Sequence, residues 1–405
     1  MTATELYYDP YDYAIDADPY PIWKRLRDEA PVYWNEQHGF YALSRYDDVL
    51  KGLLDTDTFV SSHGILLEMI TDEPYENVPM MIMKDAPEHT RLRKLVSRAF
   101  TPRRIADLEV KIAKLSNDLL DTVDGQDEFD YIDTFAGLLP PTVILALVGY
   151  PEGHAAEFRA RADESLHIED GSPTRGDLSR PLVSDSGEIN NEAFAILPEL
   201  MEQRRADPQD DLITGLVHAE IDEDGVARTL TLDEIVGFVQ LLSSAGTETV
   251  ARLLGFAAVT LAQHPDQRQL LIDDPSLVPN AIEELLRYEA PSPTQSRWVA
   301  GDIELHGTVV PRGSKLSLLN GSGDRDERHF PDPDRFDVRR DIDRHLAFGY
   351  GAHFCIGAAL ARLEGTVALR ETLRRFPTWD VDESRLERVH TSTVRGYASV
   401  PMRVR

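Results

Sequence analysis

One stretch constrains this chain above all others. Residues 232–263 carry an unbroken helical pattern, a rod of about 48 Å at the usual rise per residue. Thr231 and Glu234 make a capping-box start, and Pro265 follows the end. From Ile235 to Thr247 no side chain is charged. A helix apolar on most sides runs buried through a domain, so other elements must wrap around it. Helical patterns recur near 88–99, 102–122, 139–148, 193–205, 266–272, 277–289 and 357–376. Strand-like pieces are short: Val32–Trp34, Gly39–Leu43, Ile303–Leu305 and Thr308–Val310. The pattern predicts a mainly α fold with a small β portion, with residues 1–405 forming one domain. A polar stretch from about 163 to 192 reads as a surface loop, with a lid over a site as the sharper alternative.

Composition excludes several classes. Hydrophobic residues make up 42% and charged ones 28%, which is neither a disordered nor a collagen-like chain. The lone cysteine, Cys355, forbids an internal disulfide and a multi-cysteine zinc site, and suits a reducing cytoplasm. The N-terminus lacks the basic and apolar regions of a signal peptide, and no apolar run reaches the roughly 20 residues that span a bilayer. Without a secretion signal, the acceptor-like Asn320-Gly321-Ser322 reads as accidental. A net charge of −29 argues against nucleic-acid binding.

Chemistry concentrates at Phe348-Gly349-Tyr350-Gly351-Ala352-His353-Phe354-Cys355-Ile356-Gly357. Ile356, Leu360, Leu363 and Val367 then recur at helical spacing, so Cys355 lies on a glycine-rich loop at a helix start. Free backbone N–H groups there steady an anion, and a thiolate so held can ligate haem iron. Three other readings stand beside that one. The cysteine could be inert and buried, which is the common case. It could be a nucleophile paired with His353 or His345. The loop could cradle phosphate, but Phe354 stands where a third glycine is needed and no strand precedes it.

The whole string resembles the cysteine loop of the cytochrome P450 superfamily: Phe, two residues, Gly, one residue, Arg or His, one residue, Cys, one residue, Gly. Phe348, Gly351, His353, Cys355 and Gly357 fill every place. The resemblance implies a cytochrome P450 fold, with haem b between the long central helix and the cysteine-loop helix. It also implies Cys355 as axial ligand and His353 bonded to a propionate. Within the long helix, Ala245-Gly246-Thr247-Glu248-Thr249 resembles the family's oxygen-activation motif. By that resemblance Thr249 holds dioxygen and a water, Glu248 joins the proton route, and Gly246 lets a kinked backbone make room. The plainer readings are an i,i+4 pair of Glu248 with Arg252 and a satisfied core hydroxyl at Thr249. Val250 replaces a second threonine often seen there.

Other positions fit the same family. Glu284 and Arg287 look like its Glu-x-x-Arg, which ties a helix to an irregular segment, here His329 to Phe336. His89, Arg93 and Arg297 match propionate-binding places, while His345 reads as structural. From Arg91 to Arg104 there are six basic residues and no acidic one, where the family docks an acidic electron donor. The chain has no flavin or nicotinamide fingerprint, so a separate ferredoxin and ferredoxin reductase are expected. The implied activity is monooxygenation of an apolar small molecule, lipid, terpenoid or steroid-like, with O2. Expected pocket walls are Leu242, Ala245, the loop 62–84 with its Ile, Leu and Met residues, the stretch 163–192, Pro293–Gln295 and Thr391–Val394. Alternatives are a peroxygenase or oxidative-coupling enzyme of the same fold, a cysteine hydrolase, and a non-catalytic haem sensor.

Overall fold

The computed structural model describes residues 5–76, 78–97, 100–173, 189, 192–223 and 226–405. It is mainly helical with small sheets, as the periodicity predicts. Six helices position the candidate site: α1 (Glu88–Val96), α2 (Leu139–Val148), α3 (Ala155–Leu166), α4 (Leu232–Gln263), α5 (Val278–Tyr288) and α6 (Ala358–Arg375).

The long helix α4 has the predicted bounds. Thr231 Oγ1 accepts from Glu234 N at 3.2 Å while Thr231 N donates to Glu234 Oε2 at 2.8 Å, so the capping box forms. Its C-terminal half from Val250 to Leu261 is buried continuously, and α2, α3 and α6 pack against the helix. A Cβ on Gly246 would stand 3.2 Å from Ile144 Cγ1, so this glycine brings α4 close to α2. The helix runs unbroken through Gly246.

The sheet is larger than the sequence reading. Strands β1 (Val32–Asn35), β2 (Phe40–Leu43), β3 (Phe59–Val60), β4 (Gln295–Val299) and β5 (Lys315–Leu318) form one mixed sheet, ordered β1-β2-β5-β4-β3. In β4, Arg297 pairs with Leu316 of β5, so this cation stands on a strand bonded on both sides. Several helical boundaries also shift. The predicted helix 102–122 is two, Pro102–Asp107 and Glu109–Asp121, and the one at 193–205 begins at Leu197. The polar stretch begins inside α3, and its residues 174–188 and 190–191 lie outside the described residues, as does Arg98 of the basic run. No helix among the described residues is long and apolar enough to cross a membrane.

Glu284 and Arg287 brace the region before the cysteine loop. Both are fully buried and joined by two hydrogen bonds of 2.7 and 2.9 Å. Arg287 Nη1 also donates to Asp324 O and Pro333 O at 2.9 Å, and Arg340 Nε donates to Glu284 Oε1 at 3.1 Å. The predicted tie between α5 and the irregular segment is therefore present in atomic detail.

Candidate active site

The cysteine loop turns at Gly349 (φ 64°) and Gly351 (φ 71°), left-handed conformations that glycine adopts without strain. A Cβ on Gly351 would stand 2.8 Å from Leu53 O, so the loop lies against the helix Tyr46–Leu54. Cys355 N donates to Phe348 O at 3.0 Å and closes the loop. Cys355 borders open space, yet enough protein surrounds its sulfur that burial pushes the thiol's pKa up. The Gly357 N–H and the Arg93 and Arg362 guanidiniums pull it down without overcoming burial. The expectation of an anion steadied by the helix start is thus met in part: donor and cations are present, but the protein alone favours the thiol. A metal cation at the sulfur would supply the missing term.

Beside the loop, four basic side chains gather. The His89 and His353 rings lie 4.1 Å apart. Arg93 Nη2 donates to Phe354 O at 2.5 Å, which fixes α1 to the cysteine loop. Burial, then the positive charges of Arg297, His89 and Arg93, drive the His353 pKa down to about 2. Burial lowers Arg297 to about 10, opposed only by the charge of Asp85. Arg297 donates to neutral oxygens alone, Ser296 O at 2.7 Å and Gln295 Oε1 at 3.2 Å. His89 Nε2 is buried with no hydrogen-bond partner among the described residues. Buried cations without counter-charge are costly unless an anion pairs them. The donor set therefore fits a haem: carboxylates for the cations, iron for the thiol. His345 stands apart, bonded to Glu283 Oε2 at 3.1 Å, and is structural as expected.

On α4, Ala245 is exposed and Thr249 half-buried although the helix threads the core, so this stretch borders internal space. Thr249 Oγ1 donates to Ala245 O at 2.9 Å. Glu248 is 2% exposed and accepts from Arg252 Nη2 at 2.6 Å, so the i,i+4 pair of the plainer reading forms, while the Thr249 hydroxyl is satisfied but not in the core. Burial raises the Glu248 pKa, Arg252 lowers it and Asp163 raises it again, to about 7. Two other predicted walls are knit together: Thr294 Oγ1 donates to Ser392 O at 2.9 Å and Thr393 Oγ1 to Thr294 O at 3.1 Å. The apolar loop divides. Leu67, Met69, Met81 and Met83 are buried, whereas Ile65, Leu66 and Met80 are half-buried.

Comparison with known proteins decides the family. A family model described as cytochrome P450 matches residues 177–395. Cytochrome P450 123 of Mycobacterium tuberculosis is 42% identical over 403 residues, 99% of this chain and 97% of that protein. The chain belongs to the cytochrome P450 superfamily. The 6-deoxyerythronolide B hydroxylase of Saccharopolyspora erythraea is 39% identical over 79% of this chain and 76% of that protein. The P450 CYP109E1 of Bacillus megaterium, solved in complex with testosterone, superposes with a TM-score of 0.84 at 30% identity, covering 96% of this chain and 99% of that one. The protein is thus a P450 monooxygenase, and its family carries haem on a cysteine thiolate.

Sequence reasoning missed two residues of this P450 site. Asp85 accepts from Ser61 N at 2.9 Å and Ser62 N at 3.0 Å, and is the carboxylate nearest Arg297 in effect. Asp163 reaches Arg252 from α3. Neither lies in a recognisable motif; a lone aspartate in an acidic chain gives no signal.

Proposed function

We propose that this P450 oxygenates an apolar, ring-bearing small molecule, using electrons passed from NAD(P)H through a separate reductase and ferredoxin. In this reading Cys355 is the axial ligand of haem b, and His89, Arg93, Arg297 and His353 hold its propionates. The observation that carries the assignment is the gathering of four buried or half-buried basic groups beside the lone thiol, with Asp85 the carboxylate that acts on His89 and Arg297 among the described residues. Haem supplies dioxygen binding and reductive activation; the chain supplies protons, orientation and dryness. In this reading the Thr249 hydroxyl, which donates to Ala245 O, accepts from a water on the haem side, and Glu248, bound to Arg252, supplies the proton. Ile65, Leu66 and Met80 offer adaptable apolar surface to the substrate. The 6-deoxyerythronolide B for which the hydroxylase relative is named and the testosterone bound by the solved one support a large apolar ligand. The unpaired cysteine suits the cytoplasm.

The test is spectroscopic. Cys355→Ala should lose the absorption band of the reduced, carbon-monoxide-bound thiolate haem; an unchanged band sinks the ligand assignment. Thr249→Ala should keep that band and divert reducing equivalents from product to peroxide. Full coupling in that variant removes Thr249 from the mechanism.

A further inference from the structure

Behind the oxygen-activation motif the chain builds a second ionic arrangement. Arg252 Nη2 donates to Glu248 Oε2 at 2.6 Å and also to Asp163 Oδ1 of α3. Arg252 Nη1 donates to Tyr397 O at 2.8 Å. The stem of Arg252 lies over Gly396, where a Cβ would come within 2.6 Å of Arg252 Cβ, so the guanidinium is held in place. Side-chain exposure falls from 34% at Asp163 to 3% at Glu248 and 1% at Arg252. Outward, Arg159 Nε stands 3.7 Å from Asp163 Oδ2 and Arg159 Nη2 donates to the exposed Asp133 at 3.0 Å. Charges of alternating sign therefore step from the surface to the interior through Asp133, Arg159, Asp163, Arg252 and Glu248.

Two carboxylates meet on one nitrogen of one buried guanidinium. In a poorly solvated site one acid of such a pair retains a proton at a pH where a free carboxylate would not. We propose that Asp163 is a positioning residue and the solvent-side proton relay for Glu248, the two acids sharing one proton across Arg252. Asp163 takes a proton from water at its exposed edge and passes it directly to Glu248, whose carboxyl hydrogen-bonds that of Asp163 beside the guanidinium, as Glu248 delivers its own proton inward. The pair returns to one proton, Arg252 stays charged throughout, and no electrons move. This rests on the reading of Glu248 as part of the proton route.

The groups facing the pair are few. From α4 comes Arg252; from α3, Arg159 beside Asp163; from the turn at Ile132–Ala136, Asp133 by way of Arg159. From the strand Tyr397–Ser399 comes Tyr397, with Arg388 4.9 Å over its ring. The direction of Glu248's titration agrees: burial and Asp163 raise it, Arg252 lowers it.

The test uses the haem-loaded enzyme and the infrared carbonyl band of protonated carboxylic acid. The wild type should show an acid titrating near neutrality that Glu248→Gln removes. Asp163→Asn leaves Arg252 to Glu248 alone, so that midpoint should fall by about one pH unit or more. The pH above which product per reducing equivalent declines should fall with it, and Asp163→Glu should restore both. Should Asp163→Asn fail to load haem, Asp163→Ser takes its place with the same expected shift. An unmoved midpoint, or an unmoved coupling profile, overturns the relay. Failure of the underlying reading looks different: the wild type itself would lack the thiolate-haem band, or Glu248→Gln would stay fully coupled.

Discussion

Glu364, on α6, is 2% exposed, and its Oε2 has no hydrogen-bond partner among the described residues. Burial pushes its pKa well above the ordinary carboxylate value, so the fold favours its neutral form. The folded pKa being raised, its contribution to stability is full below the unfolded pKa and declines as pH rises towards the folded one. Between the two pKa values the decline follows the linkage slope of about 1.4 kcal/mol per pH unit. Glu364→Gln removes that slope. In denaturant titrations it should equal the wild type near pH 4 and exceed it increasingly towards neutrality; equal stability at both would show the acid is hydrated or paired. At this scale the sequence was legible where motifs exist. Cys355, His353, Thr249 and Glu248 announce themselves by spacing, whereas Glu364, Asp85 and Asp163 do not. Their importance comes from burial and from partners distant in the chain.

Among elements, α4 was legible because apolar periodicity and a capping box are local signals, and its two ends fell where predicted. The sheet was less so. Strands β3, β4 and β5 are two to five residues long and are stabilised by pairing across long sequence gaps. The bond between α5 and the irregular segment lies between these cases: the Glu-x-x-Arg pattern pointed to it, and only the fold shows Arg340 and two carbonyls completing it. Removing one partner of a buried ion pair costs about 3–5 kcal/mol, because the other charge stays buried. Glu284→Gln should therefore lower stability by roughly that amount. The loss should appear as an earlier denaturation midpoint together with loss of the haem band, since the same segment leads into the cysteine loop.

For the whole molecule, charge is the dominant long-range feature: −29 overall, with a basic run from Arg91 to Arg104. The fold sorts that run. Arg93 turns to the cysteine loop and Arg104 pairs with Asp210, while Arg91, Lys94 and Arg103 have no carboxylate partner among the described residues. Reversing Lys94 and Arg103 to Glu should raise the concentration of an acidic ferredoxin needed for half-maximal reduction by about tenfold at low salt. The difference should close as ionic strength rises. An effect independent of salt would mean that this face does not receive the donor by charge. By itself the sequence determined the family, the buried central helix and the lone sulfur available to a metal, because each is written in neighbouring residues or in composition. Only the tertiary structure decided which cations lack a counter-charge and which carboxylates share a guanidinium. It also decided which apolar side chains vanish into the core. Desolvation and through-space charge depend on segments that meet only after the chain has folded.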